Sequence, residues 1–159
     1  AAVALGAHFG LSATEIARGI EAYLPQNNRG EWREMGSYRV FMDAYNANPS
    51  SMEASLRNAA PRLNAADTLY VAGDLFELGD YAAEAHQKMV NLMVDLGITQ
   101  AVLVGPLFAA TQHPYTSVLR TEDLAAKWAA NPPRCRSIWV KGSRGMALER
   151  AVKALEPQN

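Results

Sequence analysis

The sequence holds a single cysteine, Cys135, so it can form no internal disulfide and offers no thiolate cluster for a metal. That suits a reducing cytoplasm. Histidine is nearly as scarce. His8, His86 and His113 are scattered, without HExxH spacing or an evident serine or cysteine partner. An excess of one charge is also missing: 15 Lys and Arg against 16 Asp and Glu leave a formal net charge of -1. No global basic field therefore gathers nucleic acid. The longest apolar runs are strand-sized or interrupted by charge, which argues against membrane insertion. The first ten residues, AAVALGAHFG, lack a basic n-region and a starting methionine, so they are not read as a signal peptide. They read instead as the tail of a helix begun in a preceding domain. No GxxxxGK[ST] loop is present, and no GxGxxG follows the first strand.

What is present suits one packed domain. Of 159 residues, 49% are hydrophobic and 19% charged, enough for a core and too apolar for disorder. Ser12 and Glu15 have capping-box spacing and open a helix over 12–23, with Ile16, Ile20 and Tyr23 on one face. A loop, PQNNRG, covers 25–30. Strands are expected over 31–35 and 38–43 around a Gly36-Ser37 turn. The chain then alternates. Helices are expected over 50–63, 81–96, 106–111, 122–131 and 146–155. Strands are expected over 68–73, 101–105, 116–119 and 137–141. Tyr81, Met89, Leu92 and Met93 fit a core stripe. Such alternation implies an α/β, Rossmann-like, three-layer domain: a mainly parallel sheet with helices on both faces, plus an N-terminal hairpin. Ligands of these sheets sit beyond the carboxyl ends of the strands.

Three segments there carry chemistry. DAYNANPSSM (43–52) sets Asp43, Asn46 and Asn48 close together. A carboxylate accepts from hydroxyls and the carboxamides donate and accept, although Asn48 before Pro49 is also a helix cap. GDLFELG (73–79) puts Asp74 just past a strand with Glu77 three residues on; the competing reading of Asp74 is the cap of a turn. VKGSRGM (140–146) has two glycines that let the backbone curl, and a helix is expected to begin there. Its amides, with Lys141, Ser143 and Arg144, would form an anion site for a carboxylate or a phosphate. The competing reading is a basic loop capped by Ser143. Cys135 lies between Arg134 and Arg136, a setting that lowers a thiol pKa, although a lone loop cysteine more often has no role.

Together, in this order, YNANP, GDLFELG followed by His86, and KGSRGM resemble the C-terminal domain of the Mur ligases. Within them they resemble the branch that joins D-alanyl-D-alanine to UDP-N-acetylmuramoyl-tripeptide. Sister ligases usually carry a histidine in the YNANP segment. The resemblance spans nearly the whole chain and implies a single domain over 1–159, with 1–11 the tail of a linker from a central domain. It implies a three-domain cytoplasmic enzyme with an N-terminal UDP-sugar domain and a central ATPase domain. ATP and Mg2+ serve the full-length enzyme, and none is expected bound to the fragment. Arg29, Asp43, Asn46 and Asn48 match the nucleotide side, with Asp43 at the ribose. Asp74, Glu77, Lys141, Ser143 and Arg144 match the side of the incoming dipeptide. No catalytic or metal-binding residue is implied in this chain, which alone is expected to be inactive. Two other readings remain open: the same domain of a sister ligase adding a single amino acid, and a free-standing α/β binding module.

Overall fold

Ser12 opens a helix as its spacing predicts. Its hydroxyl accepts from the Glu15 amide and the Glu15 carboxylate accepts from the Ser12 amide, a reciprocal cap. The computed structural model describes residues 1–24, 26–63 and 67–156, so Pro25 of the expected 25–30 loop lies outside it. Helices α1 (Ala2–His8) and α2 (Ala13–Glu21) pack against each other, and neither contains a buried residue. They are followed by β1 (Arg29–Met35), β2 (Tyr38–Asp43), α3 (Pro49–Leu63), β3 (Thr68–Gly73), α4 (Ala82–Asp95), β4 (Ala101–Val104), α5 (Pro106–Ala109), β5 (Thr116–Val118), α6 (Thr121–Ala130), β6 (Ser137–Lys141) and α7 (Glu149–Lys153).

One sheet has the order β1-β2-β6-β3-β4-β5, with β1 antiparallel to β2 and every other pair parallel. Every residue of β3 is buried, as expected for a strand covered on both faces. Period-two alternation sorts the strand residues. Tyr70, Ala72, Leu103 and Trp139 face α3, α4 and α5, meeting Met52, Leu56, Met93 and Phe108. Leu69, Val71, Ile138 and Val140 face α6 and α7, meeting Leu124, Trp128, Ala151 and Val152. The fold is therefore the Rossmann-like α/β arrangement read from the alternation.

Connectivity positions the site. After β2 and β3 the chain turns onto one face, into α3 and α4; after β6, which lies between them, it turns onto the other, into α7. The carboxyl end of β6 is thus flanked on both sides by chains leaving in the opposite direction. Open α/β sheets form their ligand crevices at such reversals. The ends of β2, β3 and β6 do share one edge.

Three expectations need correction. The helix expected over 146–155 is broken: a 3-10 turn covers Arg144–Met146, Ala147 takes a left-handed φ of 50°, and α7 starts only at Glu149. Tyr81 belongs to a 3-10 turn and is exposed, so the core stripe begins at Met89. Strand β1 starts at Arg29 because a bulge at Gly30, with φ of 70°, brings Arg29 back opposite Asp43.

Candidate functional site

The end of β2 is neighbour to both β1 and β6, so Asp43 lies opposite Arg29 on one side and Lys141 on the other. Lys141 is buried. Its Nζ lies 2.9 Å from Asp43 Oδ2 and donates to the Asn46 carbonyl at 3.1 Å. A buried ammonium needs such partners. Lys141 therefore sits beneath the crevice, tying the β6 end to the β2 loop. Asp43 stays partly exposed at the rim. The Arg29 guanidinium stacks 3.5 Å from the centre of the Tyr45 ring, which fixes its plane and leaves its edge for hydrogen bonds. Tyr45 is held by its amide, which donates to Asn28 O; buried Asn28 in turn accepts from Arg33 at 2.8 Å.

Asn48 caps α3. Its Oδ1 accepts from the Ser51 amide at 2.8 Å and from Ser50 Oγ at 3.0 Å, and Pro49 is the first helical residue. Asn46, just before it, is exposed with its backbone carbonyl held by Lys141.

Asp74 is buried, and its carboxylate accepts from the amides of Leu107 at 3.0 Å and Phe108 at 2.8 Å, the opening turn of α5. His86 is fully buried beside it. Its Nε2 accepts from the Leu75 amide at 3.0 Å and its Nδ1 faces Ala82 O at 2.7 Å, which requires a neutral ring protonated at Nδ1. The 3.8 Å approach of Nε2 to Asp74 Oδ1 is thus not an ion pair. Two hydrogen bonds stitch the β3 and β6 loops together: Ser143 N to Asp74 O at 3.2 Å, and Phe76 N to Ser143 Oγ at 2.9 Å. Phe76 also closes over Gly145, where a Cβ would come 2.7 Å from its ring.

Part of the amide array expected to hold an anion is already engaged within the protein. The amides of Ser143, Met146 and Ala147 donate to Asp74 O, Ser143 O and Arg144 O. The helix that follows is five residues long and begins four residues after Gly145. Arg144 is exposed, with Nη1 3.7 Å from Glu149.

Asn46, Asn48, Glu77, Ser143 and Arg144 converge on one cleft of about 290 Å³ at the β6 end. Asp74 lines a neighbouring cleft of about 350 Å³ across Phe76, while Arg29, Asp43 and Lys141 line neither. Phe76, Tyr45 and Glu149 were not among the residues read from sequence. An aromatic beside each polar motif was the available signal for the first two; nothing local marks Glu149. Cys135 is a further correction. Burial, assisted by Asp67, pushes its thiol up to about 11, so the flanking arginines do not activate it. Among the described residues no group of three His, Cys, Asp or Glu side chains is arranged to hold a metal, and no helix is long and apolar enough to cross a membrane.

The model of the Mur ligase glutamate ligase domain matches residues 28–159. The UDP-N-acetylmuramoyl-tripeptide--D-alanyl-D-alanine ligase of Treponema pallidum is 36% identical over 99% of this chain and 35% of that protein. The enzyme of the same name from Bacillus subtilis is 30% identical over 98% of this chain and 36% of that protein. The chain thus spans about a third of the length of these relatives. A crystal structure of MurF from Acinetobacter baumannii superposes with a TM-score of 0.73 at 25% identity, over 96% of this chain and 35% of that one. MurF ligase from Thermotoga maritima, in complex with ADP, gives 0.74 at 19% identity over the same shares, a likeness of fold.

Proposed function

The chain belongs to the Mur ligase family, and from that membership we propose that it is the C-terminal domain of an ATP-dependent, cytoplasmic ligase that adds D-alanyl-D-alanine to UDP-N-acetylmuramoyl-tripeptide in peptidoglycan synthesis. The observation that carries this reading is the division of the carboxyl edge into two adjacent regions. One, around Asp43 and Arg29, presents an exposed carboxylate beside a stacked guanidinium. The other, the cleft at the β6 end, gathers Asn46, Asn48, Glu77, Ser143 and Arg144.

The first suits the nucleotide: Asp43 would accept from ribose hydroxyls and the free edge of Arg29 would meet phosphate oxygens. Asn46 and Asn48, which follow Asp43 in sequence and line the second region, would meet the nucleotide at its border with the first. The second suits the incoming dipeptide, whose amine must point inward while its carboxylate is held. Arg144 offers a bidentate grip for that carboxylate, and Ser143, fixed by Phe76 N, stands beside it. Asp74 and Lys141 serve this site from beneath, by holding the loops that carry it. When bound, ATP supplies the phosphoryl group that makes the receiving carboxylate reactive towards an amine. Mg2+ and the phosphate-binding loop belong, in this reading, to a central ATPase domain, and the UDP-sugar to an N-terminal one. This chain binds and positions, and alone turns over neither ATP nor dipeptide.

The test uses the full-length enzyme carrying this domain. Arg144→Lys should raise KM for the dipeptide about tenfold and leave KM for ATP within about twofold, because lysine cannot copy a two-point contact. Asp43→Asn keeps an acceptor for buried Lys141 but loses the charge, and should do the reverse, raising KM for ATP by about tenfold. Exchanged effects would reverse the two assignments, and no effect on either constant would remove both residues from the site.

A further inference from the structure

The amino ends of β3, β4 and β5 frame another cleft, of about 520 Å³, together with the last turn of α6 and the Pro132-Pro133 loop. It lies at the sheet edge opposite the site described above, a strand's length away, roughly 15–20 Å. None of the residues assigned to nucleotide or dipeptide lines it. Its size falls within the roughly 300 to 1,000 Å³ of pockets that enclose small ligands. The floor is apolar and packed: Leu69, Val102 and Trp128 border the cleft and are at most 8% exposed. Tyr115 forms a wall, held in place by its hydroxyl, which donates to Ile98 O at 2.9 Å.

Lys127 and Arg134 supply the charge of this lining, and no Asp or Glu is among the described residues that form it. Neither cation is neutralised within the fold. The natural partner of Lys127 is Asp123, four residues earlier on the same helix. Arg120 occupies that carboxylate instead, at 2.8 Å and 3.3 Å from its two oxygens. The other acid of the turn, Glu122, meets Arg150 at 3.2 Å. Arg134 follows two prolines of fixed φ, and Pro133 O accepts from the Tyr38 hydroxyl at 3.1 Å, so its backbone is anchored. Among the described residues the side chains of Lys127 and Arg134 make no hydrogen bond or ion pair. By contrast Arg57 and Lys88, exposed on other helices, have carboxylates at 2.8 Å and 2.6 Å.

We propose that this cleft is a second ligand site, selective for a compact amphiphilic anion. The apolar body of the ligand lies over Leu69, Val102 and Trp128, and its carboxylate, sulfonate or phosphate group meets Lys127 and Arg134. The guanidinium offers a two-point contact to an oxyanion, and the ammonium adds a mobile point charge. Selectivity follows, because a neutral molecule of the same shape covers the floor but leaves both cations without a partner. The proposal is independent of the functional reading above, since it uses none of the same residues.

Isothermal titration calorimetry on the full-length enzyme tests it, with naphthalene-2-sulfonate and its neutral counterpart naphthalene-2-sulfonamide. The sulfonate should bind saturably and at least about tenfold more tightly than the sulfonamide, the difference expected for a charged hydrogen-bonded contact. The double variant Lys127→Gln, Arg134→Gln should weaken the sulfonate at least about tenfold and leave the sulfonamide within about twofold. Both side chains are exposed and unpaired, so an unchanged Tm is expected and separates recognition from folding. Arg18→Gln, on the exposed apolar helix α2, should leave both affinities as they are, which separates the cleft from adhesion to that surface. Saturating D-alanyl-D-alanine or ATP should not displace the sulfonate. Absence of saturable binding up to about 1 mM, an affinity untouched by the double variant, or displacement by dipeptide or ATP each overturns the second site.

Discussion

Replacing Asp74 with asparagine keeps its shape and alters one atom's hydrogen-bonding character. The carboxylate now accepts from two amides at once, Leu107 N at 3.0 Å and Phe108 N at 2.8 Å, in a site with 1% exposure. An asparagine has one oxygen and one NH2 group. Whichever way it turns, one of the two amides meets a donor. The lost contact is a hydrogen bond to a charged group, about 1.5–3 kcal/mol, and no water can easily replace it. We expect Asp74→Asn to lose about 2–3 kcal/mol. For a chain of this size that is a fall in Tm of roughly 4–12 °C. Urea denaturation followed by tryptophan fluorescence measures it, since Trp139 and Trp128 are buried on opposite faces of the sheet and report both cores. A loss under about 1 kcal/mol with an unchanged m value would refute the capping account.

Gly105 faces the same carboxylate. A Cβ there would overlap Asp74, and its φ of 119° disfavours any side chain, so Gly105→Ala should destabilise at least as much as Asp74→Asn in the same urea assay. Cys135, raised to about 11 by burial, should react with a disulfide reagent at pH 8 far more slowly than in the unfolded chain; equal rates would contradict its burial. The sign of the linkage follows. The folded thiol keeps its proton to higher pH than the unfolded one, so its contribution to stability is complete below about pH 9 and is lost as pH rises towards 11. A stability profile that climbs over that interval after correction for other groups would be inconsistent with it.

The alternation of apolar strands with helices was legible because each strand is short, buried and bounded by polar or glycine residues. The shared edge of Asp43, Asp74 and Ser143 followed from that alternation alone. Helix caps were legible too: Ser12 with Glu15 and Asn48 with Pro49 act through neighbours in sequence. What could not be read were partnerships across the fold. Nothing near Lys141 indicates that its ammonium is covered by Asp43 and the Asn46 carbonyl, 95 residues away in the latter case. Cys135 misled for the same reason, because two flanking arginines are visible in sequence and the burial that outweighs them is not. The late start of α7 turned on one alanine in a left-handed conformation, which composition does not announce.

The two outer strands of the sheet have a bearing on how the chain behaves in concentrated solution. Strand β5 is only three residues long. At the other margin, β1 carries Arg29, Glu31, Arg33 and Glu34 and is bent at its Gly30 bulge. A short margin and a charged, kinked one offer no flat apolar ladder for another copy to extend. Self-association by strand addition is discouraged at both margins of the sheet, while the carboxyl edge between them stays open.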